Sequence, residues 1–180
     1  MSYRVIVLGV LAVLIFGPLA SRSQPVVPEV PKAIAIPAGH KLLFQLEARG
    51  VQIYKATKGT TGALEWILEA PLANLLDAKG AKAGLHYAGP SWEAADGSKV
   101  IRDPAQDVKS VPAPTAKEDI PWLLIKVKAE EGSAGQFNPT VYIQRLQTQG
   151  GKPPAELPKR VESKVGVPYK AVYYFYGKAN

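Results

Sequence analysis

Short segments of alternating apolar and polar residues, separated by turns rich in glycine and proline, occupy most of this chain. In KLLFQLEA, residues 41–48, Leu42, Phe44 and Leu46 alternate with polar neighbours. A period of two places successive side chains on opposite faces of a strand. No segment shows a helical apolar period for more than two turns, and Gly and Pro number 16 each, which favours turns over long helices. The pattern therefore predicts an all-β fold.

About eight to ten such short strands are expected. PWLLIKVKA at 121–129 is apolar on both faces at its start, which is typical of a strand buried on both sides. TVYIQRLQT at 140–148 is predicted to return antiparallel to it, and YKAVYYFYG at 169–177 to close the chain as an aromatic strand. Long Pro-rich loops are predicted at 104–119 and 150–159. Such a series indicates either a single small barrel or a two-sheet antiparallel sandwich.

The N terminus has the organisation of a secretory signal peptide. Arg4 precedes an uncharged apolar run, residues 5–20, which is followed by small and polar residues. The run is shorter than the ~20 residues that a membrane-spanning helix needs, and Gly17-Pro18 interrupts it. We therefore expect a signal peptide over residues 1–23, cleaved near Gln24, and a periplasmic or extracellular mature protein without a transmembrane span. An uncleaved N-terminal anchor is the alternative.

The remainder divides into a lead-in and one domain. Residues 24–38 carry four prolines among apolar residues, which disfavours helix and predicts an extended lead-in. Residues 39–180 are expected to form a single β domain. The chain has no cysteine, so a disulfide framework and a thiolate metal site are both excluded. Packing alone must hold the core together.

The positive charge is dispersed along the chain. The formal net charge is +7, and loss of residues 1–23 would remove Arg4 and Arg22 and leave +5. The lysines never form a block, whereas nucleic-acid binders usually concentrate their charge on one face. Dispersed charge and export together predict no nucleic-acid partner, and we expect a monomer.

One segment, HYAGPSWEAADGS at residues 86–98, concentrates reactive side chains. Gly89-Pro90 is a turn signature, and Asp96-Gly97 is the expected turn of a hairpin in which the carboxylate accepts backbone N–H bonds. Trp92 is large enough to close one end of a small barrel. These residues are expected to build the fold.

Three side chains leave a functional interpretation open. An inward-facing His86, oriented by Glu93 or Asp96, would serve as a general base. Arg145 shares the parity of apolar residues in its strand, which predicts that it points inward and pairs with Glu93, Asp96 or Glu47, because a buried unpaired charge is costly. The alternatives are a structural histidine with a core salt bridge, and a polar cluster that lines a ligand pocket.

The closing strand carries its aromatic residues on both faces. Tyr169, Tyr173 and Phe175 share one face, whereas Tyr174 and Tyr176 share the other. One interpretation is a strand buried between the sheet and a loop. The other is an aromatic platform that contacts sugar or lipid.

Motifs of known catalytic or metal sites are missing from the sequence. It contains no G-x-S-x-G, P-loop, G-x-G-x-x-G or H-E-x-x-H motif. The two histidines, His40 and His86, are far apart. We therefore expect no metal site and no cofactor.

Five segments together resemble a known family, the domain-of-unknown-function family 3455 of exported bacterial and fungal proteins. They are PAGHKLLFQLEARGVQIY, GLHYAGPSWEAADGSKV, IPWLLI, IQRLQTQGG and YKAVYYFY, spread over residues 37–176. The resemblance implies no established activity. Many members of the family carry a cysteine just after the GVQIY tyrosine and another after GG. This chain has Lys55-Ala56 and residues 150–158 without cysteine at those places, which argues against thiol chemistry there.

The leading functional hypothesis is an exported, non-catalytic module that binds a small molecule or glycan through His86, Trp92, Glu93, Arg145 and Tyr173. One alternative is a hydrolase- or isomerase-type enzyme with His86 as base, Glu93 or Asp96 orienting it, and Arg145 holding an anionic substrate. The other alternative is a structural envelope protein without a ligand.

Overall fold

The computed structural model describes residues 28–179, so the predicted signal peptide lies outside the described residues. In the described part, a short 3₁₀ turn at Lys32–Ile34 precedes nine strands. No helix among these residues is long and apolar enough to cross a membrane. The strands are β1 His40–Lys58, β2 Leu64–Leu76, β3 Lys82–Tyr87, β4 Ser91–Ala94, β5 Lys99–Arg102, β6 Lys109–Val111, β7 Trp122–Ala129, β8 Tyr142–Gly150 and β9 Lys164–Lys178.

All strand pairs are antiparallel, and the sheet closes on itself. The order is β5-β4-β3-β2-β1-β9-β8-β7-β6, and β5 pairs with β7 as well as with β4. Eight strands therefore form a ring, while β6 pairs with the start of β7 beside the β5 contact. The first and last strands, β1 and β9, are neighbours along nearly their whole length. This arrangement confirms the predicted all-β class.

Three strands are longer than the short strands expected: β1, β2 and β9 have 19, 13 and 15 residues. β1 is long because it continues through Gly50 without interruption. A Cβ at this position would overlap the carbonyl oxygen of Leu72 and the Cα of Ala73 in β2. Glycine therefore lets the two backbones approach closely. Register shifts at Leu42/Phe44 and Ile53/Tyr54 are irregularities of the kind that bends long strands.

Aromatic side chains fill the ring. Phe44 stacks on Phe175 with ring centroids 4.6 Å apart, and Phe137 lies 4.9 Å from Phe175. Trp92 is completely buried in the same core. The two-faced prediction for β9 is confirmed, because Tyr169, Tyr173 and Phe175 belong to this inner core and Tyr174 and Tyr176 to a second cluster.

The second cluster lies beneath the described part of the Pro-rich lead-in, which we call the N-terminal strap (residues 28–38). Ile34 of the strap is 0% exposed. The Gln144 side chain donates from Nε2 to the Ile34 carbonyl oxygen at 2.7 Å and accepts from the Tyr176 hydroxyl at 2.8 Å. The strap is therefore packed against the sheet. The other buried members of the cluster are Leu124, Leu146, Tyr174 and Tyr176.

Candidate functional site

The segment with the most reactive side chains forms the β3–β4 hairpin. His86 of β3 lies opposite Trp92 of β4 in the register. Both side chains point inward, and their rings stack 4.4 Å apart at 10°. Tyr173 of β9 meets the His86 ring edge-on at 5.1 Å. The ring therefore brings together three of the predicted site residues.

Burial controls the chemistry of His86. Its Nδ1 lies 2.8 Å from the carbonyl oxygen of Ser91, and because a carbonyl only accepts, Nδ1 carries the hydrogen. Burial lowers the pKa of His86 to about 3; the Ser91 hydrogen bond opposes this, and the positive charge of Arg145 adds to it. The imidazole is therefore neutral near pH 7. A pKa so far below the working pH makes it a weak general base.

The predicted acid–histidine pair is wrong. Glu93 follows the inward-facing Trp92 in β4, so it points to the opposite face of the sheet. There its carboxylate accepts a hydrogen bond from the Tyr87 hydroxyl. Asp96 lies in the turn after β4, where its carboxylate accepts hydrogen bonds from Ser98. Neither carboxylate orients His86, whose Nδ1 is taken by a backbone carbonyl.

Asp96 is part of the turn that joins β4 and β5. Its carboxylate accepts hydrogen bonds from Ser98 Oγ at 2.6 Å and Ser98 N at 2.9 Å, and from Gln136 N at 2.8 Å. The hydrogen bond from the Ser98 side chain does most to lower the pKa of Asp96, and the backbone hydrogen bonds from Gln136 and Ser98 lower it further. Ser98 Oγ in turn accepts from Phe137 N at 3.0 Å. The predicted hairpin turn is thus confirmed, and it also holds the loop before β8.

Arg145 points into the ring as predicted and is 8% exposed. In the β8–β9 register it lies opposite Tyr173. Its Nε and Nη2 both donate to the Pro121 carbonyl oxygen, at 3.2 and 2.9 Å. The predicted salt bridge is wrong, because none of the ion pairs among residues 28–179 involves Arg145, and Glu47 pairs with Arg49 instead.

Tyr169 and Tyr173 lie near the Arg145 guanidinium, and Gln52 lies next to Tyr169. We define the Arg145 cluster as Gln52, Arg145, Tyr169 and Tyr173. Burial raises the pKa of Tyr169 and of Tyr173, and the charge of Arg145 acts in the opposite direction on both. Both tyrosines are therefore protonated near pH 7. Nearby, the Tyr54 hydroxyl donates to the Gly151 carbonyl oxygen at 2.6 Å.

Buried polar atoms of this cluster have no hydrogen-bond partner. They are the hydroxyls of Tyr169 and Tyr173 and the Nε2 of Gln52, together with the indole Nε1 of the neighbouring Trp92. The two hydroxyls lie close to each other and to Gln52 and Arg145, but none of these contacts has the geometry of a hydrogen bond. The Trp92 and Tyr173 rings are 5.8 Å apart. Buried polar groups are nearly always paired, so a group of unpaired atoms around one cation requires an explanation.

Sequence reasoning missed Gln52 and Tyr169 as candidate site residues. Gln52 shares the parity of Leu46 in β1, but only if the strand continues through Gly50. The alternation of β9 places Tyr169 on the face of Tyr173 and gives it no functional role. Both residues can be found from the sequence by strand alternation, provided that the alternation of β1 is continued across Gly50.

The described clefts lie at the surface, and one of them reaches the Arg145 cluster at Tyr169. One of about 310 Å³ is bordered by Arg49, Gln149 and Tyr169, and one of about 360 Å³ by Glu47 and Gln147. A third, of about 340 Å³, lies between a Pro-rich loop and β2. None of these three clefts is lined by His86 or Arg145. Over residues 28–179, no three His, Asp or Glu side chains are grouped to bind a metal.

Comparison with known protein families gives a match over most of the chain. Residues 37–177 match the family model described as "Protein of unknown function (DUF3455)". The matched region begins just before β1 and ends one residue before the end of β9, so it contains nearly the whole ring. Neither a curated protein nor a solved structure matches the chain.

Proposed function

We propose that this chain, which belongs to the DUF3455 family of proteins of unknown function, is an exported, non-catalytic β domain that binds a small molecule at the Arg145 cluster. The observation that carries the proposal is the set of unpaired buried polar atoms beside the Arg145 guanidinium. An unpaired buried donor costs about 1–3 kcal/mol. A ligand that accepts these hydrogen bonds would recover that cost.

The chemistry of His86 supports binding rather than catalysis. An enzyme that uses His86 as base would need an imidazole that takes up protons near neutral pH. Burial holds the pKa of His86 near 3, and Glu93 and Asp96 contact other groups. His86 and Trp92 therefore serve the proposed site as a flat wall next to Tyr173.

The aromatic residues of β9 favour a small molecule over a glycan. A sugar platform needs exposed rings, whereas Tyr173 is 0% exposed and Tyr174 and Tyr176 lie in the second cluster. Tyr173 belongs to the packed inner core of the ring, so a ligand that contacts it has to fit between closely packed side chains. Only a small group fits among side chains packed in this way.

Export is supported by the sequence of residues 1–23. Mass spectrometry of the protein recovered from its host should give an N terminus near Gln24. A chain beginning at Met1 in the cytoplasmic fraction would contradict export. A chain beginning at Met1 in the membrane fraction would show instead that the N-terminal segment is retained as an anchor.

Ligand binding is tested by a thermal-shift screen of small polar metabolites, with mono- and oligosaccharides as a separate set. We expect at least one small metabolite to raise the Tm of the wild type and of Arg160→Gln, which changes an exposed arginine in a loop. The same compound should leave the Tm of Arg145→Gln unchanged. Equal shifts in all three proteins, or no shift by any compound, would refute the proposed site.

A further inference from the structure

We infer that the ligand presents an oxyanion, such as a carboxylate or phosphate group, to the Arg145 cluster. This inference rests on the proposed function and specifies the chemistry of its ligand. It follows from two independent properties of the cluster, its hydrogen-bonding character and its charge.

The hydrogen-bonding character is strongly biased towards donors. The guanidinium of Arg145 has donors and no acceptor, and the unpaired Nε2 of Gln52 and Nε1 of Trp92 are also donors only. The unpaired hydroxyls of Tyr169 and Tyr173 each offer a further O–H. An ionised carboxylate or phosphate accepts hydrogen bonds and donates few or none. Sugar hydroxyls bring their own donors and match this set poorly.

The charge of the cluster is positive and uncompensated. Near pH 7, His86 is neutral and the buried tyrosines are protonated, so Arg145 supplies the charge. A buried cation is stable only when it is paired or well hydrogen-bonded. Both hydrogen bonds of Arg145 go to one carbonyl oxygen, that of Pro121, and the nearby Tyr173 hydroxyl is not aligned to accept another.

The nearby acids are committed to other groups. Asp119, two residues before Pro121, accepts a hydrogen bond from Gly150 N at 2.6 Å. Glu47 pairs with Arg49 and Glu93 with the Tyr87 hydroxyl. Among residues 28–179, then, no carboxylate forms an ion pair with Arg145. An anion from outside the chain would supply the missing charge.

The test measures Tm at pH 7 and constant ionic strength, with sodium chloride replaced stepwise by sodium phosphate, sulfate or acetate. We expect at least one oxyanion to raise the wild-type Tm with a saturable dependence on its concentration. Arg145→Gln should lose this shift, and the exposed-arginine control Arg160→Gln should keep it.

The tyrosine variants separate a ligand site from a purely structural core. In Tyr173→Phe an unpaired hydroxyl is removed, so the Tm in chloride should be equal to or above that of the wild type, while affinity for the oxyanion falls by about tenfold or more. Tyr169→Phe should behave in the same way. Tyr87→Phe, at the outward-facing tyrosine bonded to Glu93, should keep wild-type oxyanion affinity.

The outcomes distinguish the two proposals. If a neutral metabolite raises the Tm in a way that depends on Arg145 and oxyanions do not, the binding function stands and the oxyanion inference is overturned. If oxyanion shifts are identical in the wild type, Tyr169→Phe and Tyr173→Phe, the inference is also overturned. Should Arg145→Gln fail to fold, the two tyrosine variants decide the question.

Discussion

The imidazole of His86 and the indole of Trp92 are stacked inside the ring, 4.4 Å apart and only 10° from parallel. Protonation would place a charge beside a buried indole and a buried tyrosine ring, and within range of the positive charge of Arg145. Burial therefore lowers the pKa of His86 to about 3. The stack links the stability of the domain to pH.

We predict that wild-type stability decreases as the pH falls from 6.5 towards 3. Above pH 6.5 His86 is neutral in both the folded and the unfolded chain, so its full contribution is present. Below that pH the unfolded chain takes up a proton and the folded chain does not, until the pH reaches about 3. The free energy of unfolding should fall by about 1.4 kcal/mol per pH unit from this group.

The comparison protein for this measurement is His86→Phe, which retains an aromatic ring and cannot be protonated. Urea denaturation of both proteins between pH 7 and pH 4 should show a weaker pH dependence in His86→Phe. At pH 7 the variant should lose about 1–3 kcal/mol, because the Ser91 carbonyl loses its donor. Parallel curves across this range would mean that His86 takes up its proton equally in the folded and the unfolded chain, and would contradict a lowered pKa.

Ile34→Ala should destabilise the domain by about 2–5 kcal/mol, because a fully buried side chain of the N-terminal strap leaves a cavity over β7–β9. The matched control is Ile67→Ala in β2, where the side chain is 47% exposed and the loss should be less than about 1 kcal/mol. Urea denaturation measures both. Similar small losses for the two variants would show that the strap contributes little to stability.

Gly50→Ala should cost about 3 kcal/mol or more, or prevent folding, because the new methyl group would overlap the β2 backbone. Gly166→Ala is the control on the neighbouring strand β9: its nearest contact would be Val51, at an ordinary 3.4 Å. Soluble yield and urea denaturation compare them. Equal stability of the two variants would exclude a close β1–β2 approach at Gly50.

Asp96→Asn should lower the Tm at pH 7, because the carboxylate holds Ser98 and the backbone of Gln136. The lowered pKa of Asp96 means that its contribution is present above the ordinary carboxyl pKa and is lost as the pH falls through the folded-state value. The Tm difference from wild type should therefore shrink with acidification. A difference that is constant with pH would contradict a role for the ionised carboxylate. Asp107→Asn, in the exposed loop before β6, is the control.

Strand parity accounts for what the sequence predicted well. The alternation in β8 correctly placed Arg145 inside, and the alternation in β9 placed Tyr173 on the inner face. Parity within β4 also separates Trp92 from Glu93, since adjacent residues face opposite sides. Because Trp92 and His86 lie opposite each other and both point inward, the same rule places Glu93 on the outer face and excludes a Glu93–His86 pair.

The partner of Arg145 could not be predicted because it depends on the assembled ring. The Pro121 carbonyl is a backbone atom and has no signature in the sequence. Its position beside Arg145 follows from the β7–β8 register, in which Leu123 lies opposite Arg145. Gln52 was missed for a related reason, since its inward orientation follows only if β1 continues beyond the alternating segment 41–48 and through Gly50.

The pairing of β1 with β9 has a consequence for biosynthesis. His40 lies opposite Lys178, and Ala179 N donates to the Gly39 carbonyl oxygen at 2.8 Å, so the ring is closed by joining the two ends of the domain. Such pairing over a long chain separation slows folding. A nascent chain in which β9 is not yet available has no partner for one whole edge of β1. The ring can therefore close only after β9 has been synthesised, and a truncation within β9 should leave an exposed sheet edge that favours aggregation.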